Sequence, residues 1–121
     1  MENKVNLNEK LAQFAVHWSP HTIGQYNGND LMVAKLKGEF HWHKHDDTDD
    51  FFMVISGTLR ILLRDDAGER EVILEPGEIY VVPRGLEHKP VADEEVHILL
   101  IEPTGTPNTG DPSTAAPRRV I

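Results

Sequence analysis

From Leu31 onward the chain is written in short apolar runs separated by turn signals at spacings of about 8–12 residues, and this rhythm constrains the fold more than any other feature. Runs this short cannot form helices that bury a core, whereas strands of a few residues with every second side chain turned inward can. The pattern predicts an all-β antiparallel sandwich or barrel. Its strands fall at His21–Tyr26, Leu31–Lys37, Phe40–Lys44, Asp50–Ile55, Leu59–Arg64, Glu71–Leu74, Ile79–Val82, His88–Val91 and Val96–Ile101. Asn27-Gly28-Asn29-Asp30 and Asp65-Asp66-Ala67-Gly68 read as hairpin turns built from residues that tolerate positive φ, and Ser56-Gly57 and Pro76-Gly77 mark two more.

The flanks follow other rules. Leu7, Leu11 and Phe14 recur at helical spacing with Asn8 as a cap, so a short helix is expected within an N-terminal segment, residues 1–19. The barrel then occupies residues 20–102. From Pro103 to Pro117 the composition turns to Pro, Thr, Gly and Ser, which cannot bury a core, so residues 103–121 read as an irregular C-terminal tail lying along the barrel, loose, or crossing to a partner subunit. A chain of 121 residues with 39% hydrophobic and 26% charged residues has material for one domain and one core.

Composition then removes classes of function. The formal net charge of −8 argues against nucleic acid as a partner, because that affinity comes from clustered Lys and Arg. There is no cysteine, so any metal must be held by imidazole and carboxylate. The polar, amphipathic start from Met1 to Phe14 lacks the apolar stretch of a signal peptide, and no run approaches the roughly 18 apolar residues of a membrane span. No membrane partner and a cytoplasmic location are expected.

Three of the seven histidines lie in Phe40-His41-Trp42-His43-Lys44-His45, just before the acidic residues Asp46, Asp47, Asp49 and Asp50. On a strand His43 and His45 project to one face and Trp42 and Lys44 to the other, which makes half a metal site. Asp50 shares parity with Phe52 and Val54, so if those two line the interior its carboxylate points inward beside the histidines. A buried carboxylate is costly unless it is paired or bound to a cation, and His88 offers a fourth ligand. A divalent metal ion held by His43, His45, Asp50 and His88 is the expectation. Imidazole with carboxylate suits iron, manganese, nickel, zinc, cobalt or copper.

The same residues carry a family resemblance. His43-Lys44-His45, four residues, Asp50, six residues, Gly57 resembles the first cupin motif, which has two histidines, a glutamate and a glycine at this spacing. Gly77, five residues, Pro83, Arg84, Gly85, two residues, His88 is similar to the second. Together the motifs run from Gly38 to about Ala92. Asp50 stands where the family has glutamate, Ala92 where asparagine often closes the second motif, and Gly38 lies one residue closer to the first histidine than is usual. The resemblance implies a double-stranded β-helix, a jelly-roll barrel of about six to eight strands whose mouth holds a metal and a small ligand.

Cupins include dioxygenases, isomerases, lyases and non-enzymatic binding proteins, so the chemistry has to come from the site. The leading expectation is a metal-dependent enzyme of dioxygenase, isomerase or lyase type acting on a small oxygen-rich or carboxylate metabolite. The alternative is a module that binds a small sugar-like ligand without turning it over. His41, in phase with His43 and His45, and Tyr80 are the candidates for moving protons. His17 and His21 read as structural or exposed, and His97 as a wall residue facing either way. Phe51, Met53 and Ile55 alternate with the inward residues and expose an apolar stripe, from which a homodimer is expected.

Overall fold

A computed structural model describes residues 3–121, and its elements are one short helix and eight strands. Helix α1 spans Leu7–Leu11; the strands are β1 His21–Tyr26, β2 Asn29–Glu39, β3 Asp50–Ser56, β4 Leu59–Asp65, β5 Gly68–Leu74, β6 Ile79–Val82, β7 Glu87–Pro103 and β8 Arg119–Val120. The helix cap is Asn6 rather than Asn8: its side chain accepts from Glu9 N at 3.0 Å. An Asx side chain satisfies a free N–H two or three residues ahead of it, and from position 8 that reach falls inside the helix.

The strands form one sheet that folds over on itself, in the order β5-β4-β7-β2-β1-β8, with β3 pairing both β6 and β7. Strand β7 organises it. Its first part pairs with β4, from Arg64↔Glu87 to Arg60↔Val91, and its second with β3, from Ser56↔His97 to Phe51↔Ile101, while β2 runs along nearly its whole length. The interruption expected between Val91 and Val96 is a bulge, not a strand end. Leu36 pairs with Val96 and Gly38 with Ala92, so Asp93, Glu94 and Glu95 of β7 stand opposite the single residue Lys37 of β2 and are exposed. A bulge bends and twists a strand, which here carries β7 from one half of the barrel to the other.

Period-two alternation places the core. Phe52 and Val54 of β3, Leu59, Ile61 and Leu63 of β4, and Val96, Ile98 and Leu100 of β7 meet inside the barrel. Each fully buried aliphatic side chain there contributes about 1.5–3 kcal/mol. A second cluster forms on the outer face of β1 and β2, where Leu11 of α1 covers Ile23 and Val33, and Ile121 joins from the far end of the chain. The helix is therefore a cover for the sheet. Gly57, the last residue of the first motif, has φ 84, and a Cβ on it would stand 2.8 Å from the Glu95 carbonyl. The β3–β4 turn and the β7 bulge touch there without room for a side chain.

The C-terminal residues do not hang loose. Arg118 donates from Nε to Asp30 Oδ2 at 2.7 Å, Ile121 N donates to Thr22 O at 3.0 Å, and β8 pairs in parallel with β1. No helix among the described residues is long and apolar enough to cross a membrane.

Candidate metal centre

The histidine segment is held in place without being a strand. The sequence pattern predicts a strand over Phe40–Lys44, whereas the backbone makes one reciprocal pair there: His43 N donates to His88 O at 3.0 Å and His88 N to His43 O at 2.9 Å. Separate contacts fix the rest. Phe40 N donates to Pro90 O, Gly85 N donates to His45 O, Arg64 of β4 lies 4.2 Å over the Trp42 ring, and Arg84 N donates to Asp49 Oδ1 at 2.9 Å. The period-two alternation survives nonetheless, because Trp42 and Arg64 anchor the outer side while His43 and His45 turn inward.

Four side chains converge from three parts of the chain: His43 and His45 from this segment, Asp50 from the start of β3, and His88 from the start of β7. One ligand atom from each lies within 4.8 Å of all the others. His88 is 1% exposed, Asp50 4% and His45 6%. Two of the imidazoles are oriented by backbone: His43 Nδ1 donates to the His41 carbonyl at 3.1 Å, and His88 Nδ1 to the Leu86 carbonyl at 2.9 Å. Each of these rings thus turns its Nε2 to the centre, the arrangement in which an outer hydrogen bond fixes a metal-binding tautomer.

The direct contacts leave buried polar atoms that a cation would satisfy. His45 Nε2 and Asp50 Oδ1 are buried with no hydrogen-bond partner. His88 Nε2 and Asp50 Oδ2, two atoms that both offer lone pairs once Nδ1 holds the ring proton, face each other at 2.9 Å. Only a proton or a metal ion can lie between them. His45 Nε2 stands 3.5 Å from the same oxygen. Two adjacent ligands on an octahedral ion with bonds of about 2.1 Å are about 3 Å apart, so these spacings and the donor set fit a divalent transition metal. The cluster can hold a metal ion.

Electrostatics prepare the site. Burial, reinforced by the neighbouring His88 and His45 rings, pushes His43 down to about 4, against the pull of the His41 carbonyl and Asp50. It is therefore neutral and ready to ligate at neutral pH. Burial opposes ionisation of Asp50, but the imidazoles of His45 and His88 and the carboxyl of Glu102 hold it below the ordinary carboxylate range.

Glu102 is the residue that sequence reasoning missed. It sits at the end of β7, 5% exposed, with Oε1 4.0 Å from His45 Nε2. Burial, and then the Asp50 carboxylate beside it, push it up to about 11, so it keeps its proton at neutral pH. The signal was present in the alternation, because Glu102 is in phase with the inward-facing Ile98 and Leu100. Asp30, expected as a turn residue, is likewise buried, and Arg118 holds it well below the usual carboxylate range against the opposing effect of burial.

A cavity of about 330 Å³ opens onto the cluster, bordered by His43, Asp50 and Glu102. His41 and Tyr80 lie outside its lining: His41 is exposed with its ring stacked on Phe40, and Tyr80 pairs with Phe52 across β6 and β3 and packs on the core. His97 faces outward, 3.7 Å from Glu95, and His17 meets the same carboxylate at 3.2 Å. His21 is buried and structural, stacked on Phe14 and bonded through Nδ1 to the Ser19 carbonyl.

Known proteins share this architecture. A cupin-2 domain containing protein from Shewanella frigidimarina, solved by crystallography, is 46% identical, with a TM-score of 0.77 over 82% of this chain and 93% of that one. The hydroquinone 1,2-dioxygenase of Sphingomonas sp. TTNP3 has the same fold at 18% identity, with a TM-score of 0.74 over 84% of this chain and 32% of its own. The uncharacterized protein YdbB of Bacillus subtilis is 30% identical over 81 residues, 67% of this chain, and the match spans 63% of that relative's length. Residues 31–102, more than half of the chain and including His43, His45, Asp50, His88 and Glu102, match the cupin domain family, and the chain belongs to that family.

Proposed function

We propose that the chain is a metal-dependent enzyme in which a divalent ion held by His43, His45, Asp50 and His88 receives a small oxygen-bearing molecule from the adjoining cavity. The observation that carries this reading is the pair of orphaned buried atoms, His45 Nε2 and Asp50 Oδ1, in a cluster whose His43 and Asp50 border an open cavity. Leaving both unmet costs about 1–3 kcal/mol each, and one cation removes both penalties. When bound, such an ion supplies Lewis-acid polarisation of a ligand oxygen or, for a redox-active metal, one-electron chemistry. The chain's own residues supply the rest: backbone carbonyls of residues 41 and 86 aim His43 and His88, the apolar core excludes water from behind, and Glu102 holds a proton beside Asp50.

Dioxygenase, isomerase and lyase chemistry all suit such a centre. Turnover that consumes oxygen marks the first, and turnover without oxygen the other two. The reading of a non-catalytic binding module draws on a separate observation, that neither His41 nor Tyr80 lines the cavity. The deciding experiment is elemental analysis of protein purified without added metal or chelator. We expect close to one equivalent of a single transition metal, lost in His43→Ala; a content that is trace in the wild type and unchanged in the variant rejects the metal centre.

A homodimer belongs to the same proposal. Phe51 and Met53 are half-buried on the outer face of β3, and their partners on β6, Val81 and Ile79, are 42% and 57% exposed. Ile55, expected in the same stripe, packs instead with the cluster under α1. Four apolar side chains on one sheet face support a partner there.

A further inference from the structure

Only part of the cavity's lining comes from the part of the chain that matches the family. Met32, Leu36, Ile98 and Leu100 form the barrel wall, within residues 31–102. Pro107, Pro112, Ala115 and Pro117 form the opposite wall, from the C-terminal segment. That second wall is built in. Arg118 bonds Asp30 through two nitrogens, at 2.7 and 3.1 Å, Ala116 N donates to Asn108 Oδ1 at 2.9 Å, and Thr104 Oγ1 donates to Asp30 Oδ1 at 2.8 Å. Gly110, at φ 79, lies against the Lys44 carbonyl between His43 and His45, so the wall is pressed onto the segment that carries two of the ligands.

The chemistry of the lining selects a ligand. The lining is mostly apolar, and its polar side chains Thr22, Thr106 and Asn108 already bond within the protein, so a hydroxyl-rich ligand set against it would lose its water with few hydrogen bonds in return. Anions fare no better. Among the described lining residues Arg118 carries the only fixed positive charge, and both of its hydrogen-bonding nitrogens serve Asp30. Drawing Arg118 away would leave a buried carboxylate unpaired, so away from the ion, whose charge Asp50 already offsets in part, the lining offers a dicarboxylate no positive partner. What remains favourable is a neutral body that fills about 330 Å³ with dispersion contacts and turns one oxygen toward the cluster.

Building on the metal-centre reading, we infer that the cavity takes an uncharged, largely apolar ligand of one or two rings with an oxygen donor, and that residues 103–118 are the wall that selects it. Carboxylates and sugars, both natural expectations from the histidine cluster alone, are thereby disfavoured. The full chain loaded with cobalt tests this, with para-cresol, tartrate and ribose as probes in titration calorimetry, and the cobalt visible band reporting ligation. Para-cresol is expected to bind at least tenfold more tightly than the other two and to shift the band.

Met32→Glu on the barrel wall and Ala115→Glu on the C-terminal wall should each weaken para-cresol at least tenfold, with cobalt content as the control. Because Ala115 lies in no strand, that variant remains informative should Met32→Glu fail to fold. Tartrate or ribose binding as tightly as para-cresol, binding of none of the three, or para-cresol affinity untouched by Ala115→Glu overturns the inference. Failure of cobalt to bind sinks the metal centre instead, and the same three probes on the metal-free chain then decide the ligand class.

Discussion

His43 and Glu102 depart from their ordinary pKa values in opposite directions, and both departures make stability depend on pH. His43 titrates near 6.5 when unfolded and is pushed down to about 4 when folded. The unfolded chain therefore takes up this proton first, and the stability present above about pH 6.5 is lost as pH falls toward 4, by roughly 3 kcal/mol at most. Urea melts of the metal-free protein from neutral to about pH 4 measure it, and His43→Gln should flatten that limb. Metal loss on acidification should begin lower than free imidazole suggests, as far as His43 controls it. Glu102 works the other way: its folded value of about 11 means that the metal-free chain loses stability as pH rises above about 4.5. Glu102→Gln keeps the shape and removes the ionisation, so it should raise the midpoint of unfolding at pH 8 in the metal-free chain, and an unchanged or lowered midpoint counts against a proton held there. The four ligand candidates were legible in the sequence because period-two spacing and two motifs agreed on them. Glu102 was not, because its inward phase depends on β7 running unbroken to Pro103, and a break after Ile101 hid it.

At the scale of elements, the C-terminal segment is where sequence and structure part. Its Pro, Thr and Gly content rules out a core of its own, and that much was readable. Its docking was not, since it depends on single contacts with no periodicity: Arg118 on Asp30, Gly110 against Lys44, Ile121 among the residues under α1. The missing strand over Phe40–Lys44 has a similar origin, because alternation reports which way side chains face and says nothing about whether a neighbouring strand is present to accept hydrogen bonds. Gly110→Val tests how far the segment and the histidine loop act together. A side chain there meets the Lys44 backbone and the positive φ disfavours it, so we expect metal affinity to drop at least tenfold while the far-ultraviolet circular dichroism of the barrel is kept. Wild-type affinity in a variant with the segment displaced would separate the two.

For the whole molecule, the proposed homodimer is tested at the outer face of β3 and β6. Val81→Glu places a charge in the middle of the apolar patch at a position that is already 42% exposed, so the monomer tolerates it. Sedimentation equilibrium should report a dimer for the wild type and a monomer for the variant; a wild type that is monomeric at high micromolar concentration removes the assembly from the proposal. Beyond assembly, the position of β7 governs the order in which the molecule can come into being. Among the strands that precede residue 87 the pairings are β1 with β2, β3 with β6 and β4 with β5, three separate two-stranded pieces that share no edge. Isolated two-stranded pieces are marginal in water, and joining them requires closing long loops, which slows folding. A chain emerging from the ribosome therefore has nothing to consolidate until β7 arrives and knits the three pieces in one step. His88 lies at the head of that strand, so an ion would have no complete site to enter before then, and loading would follow folding rather than guide it.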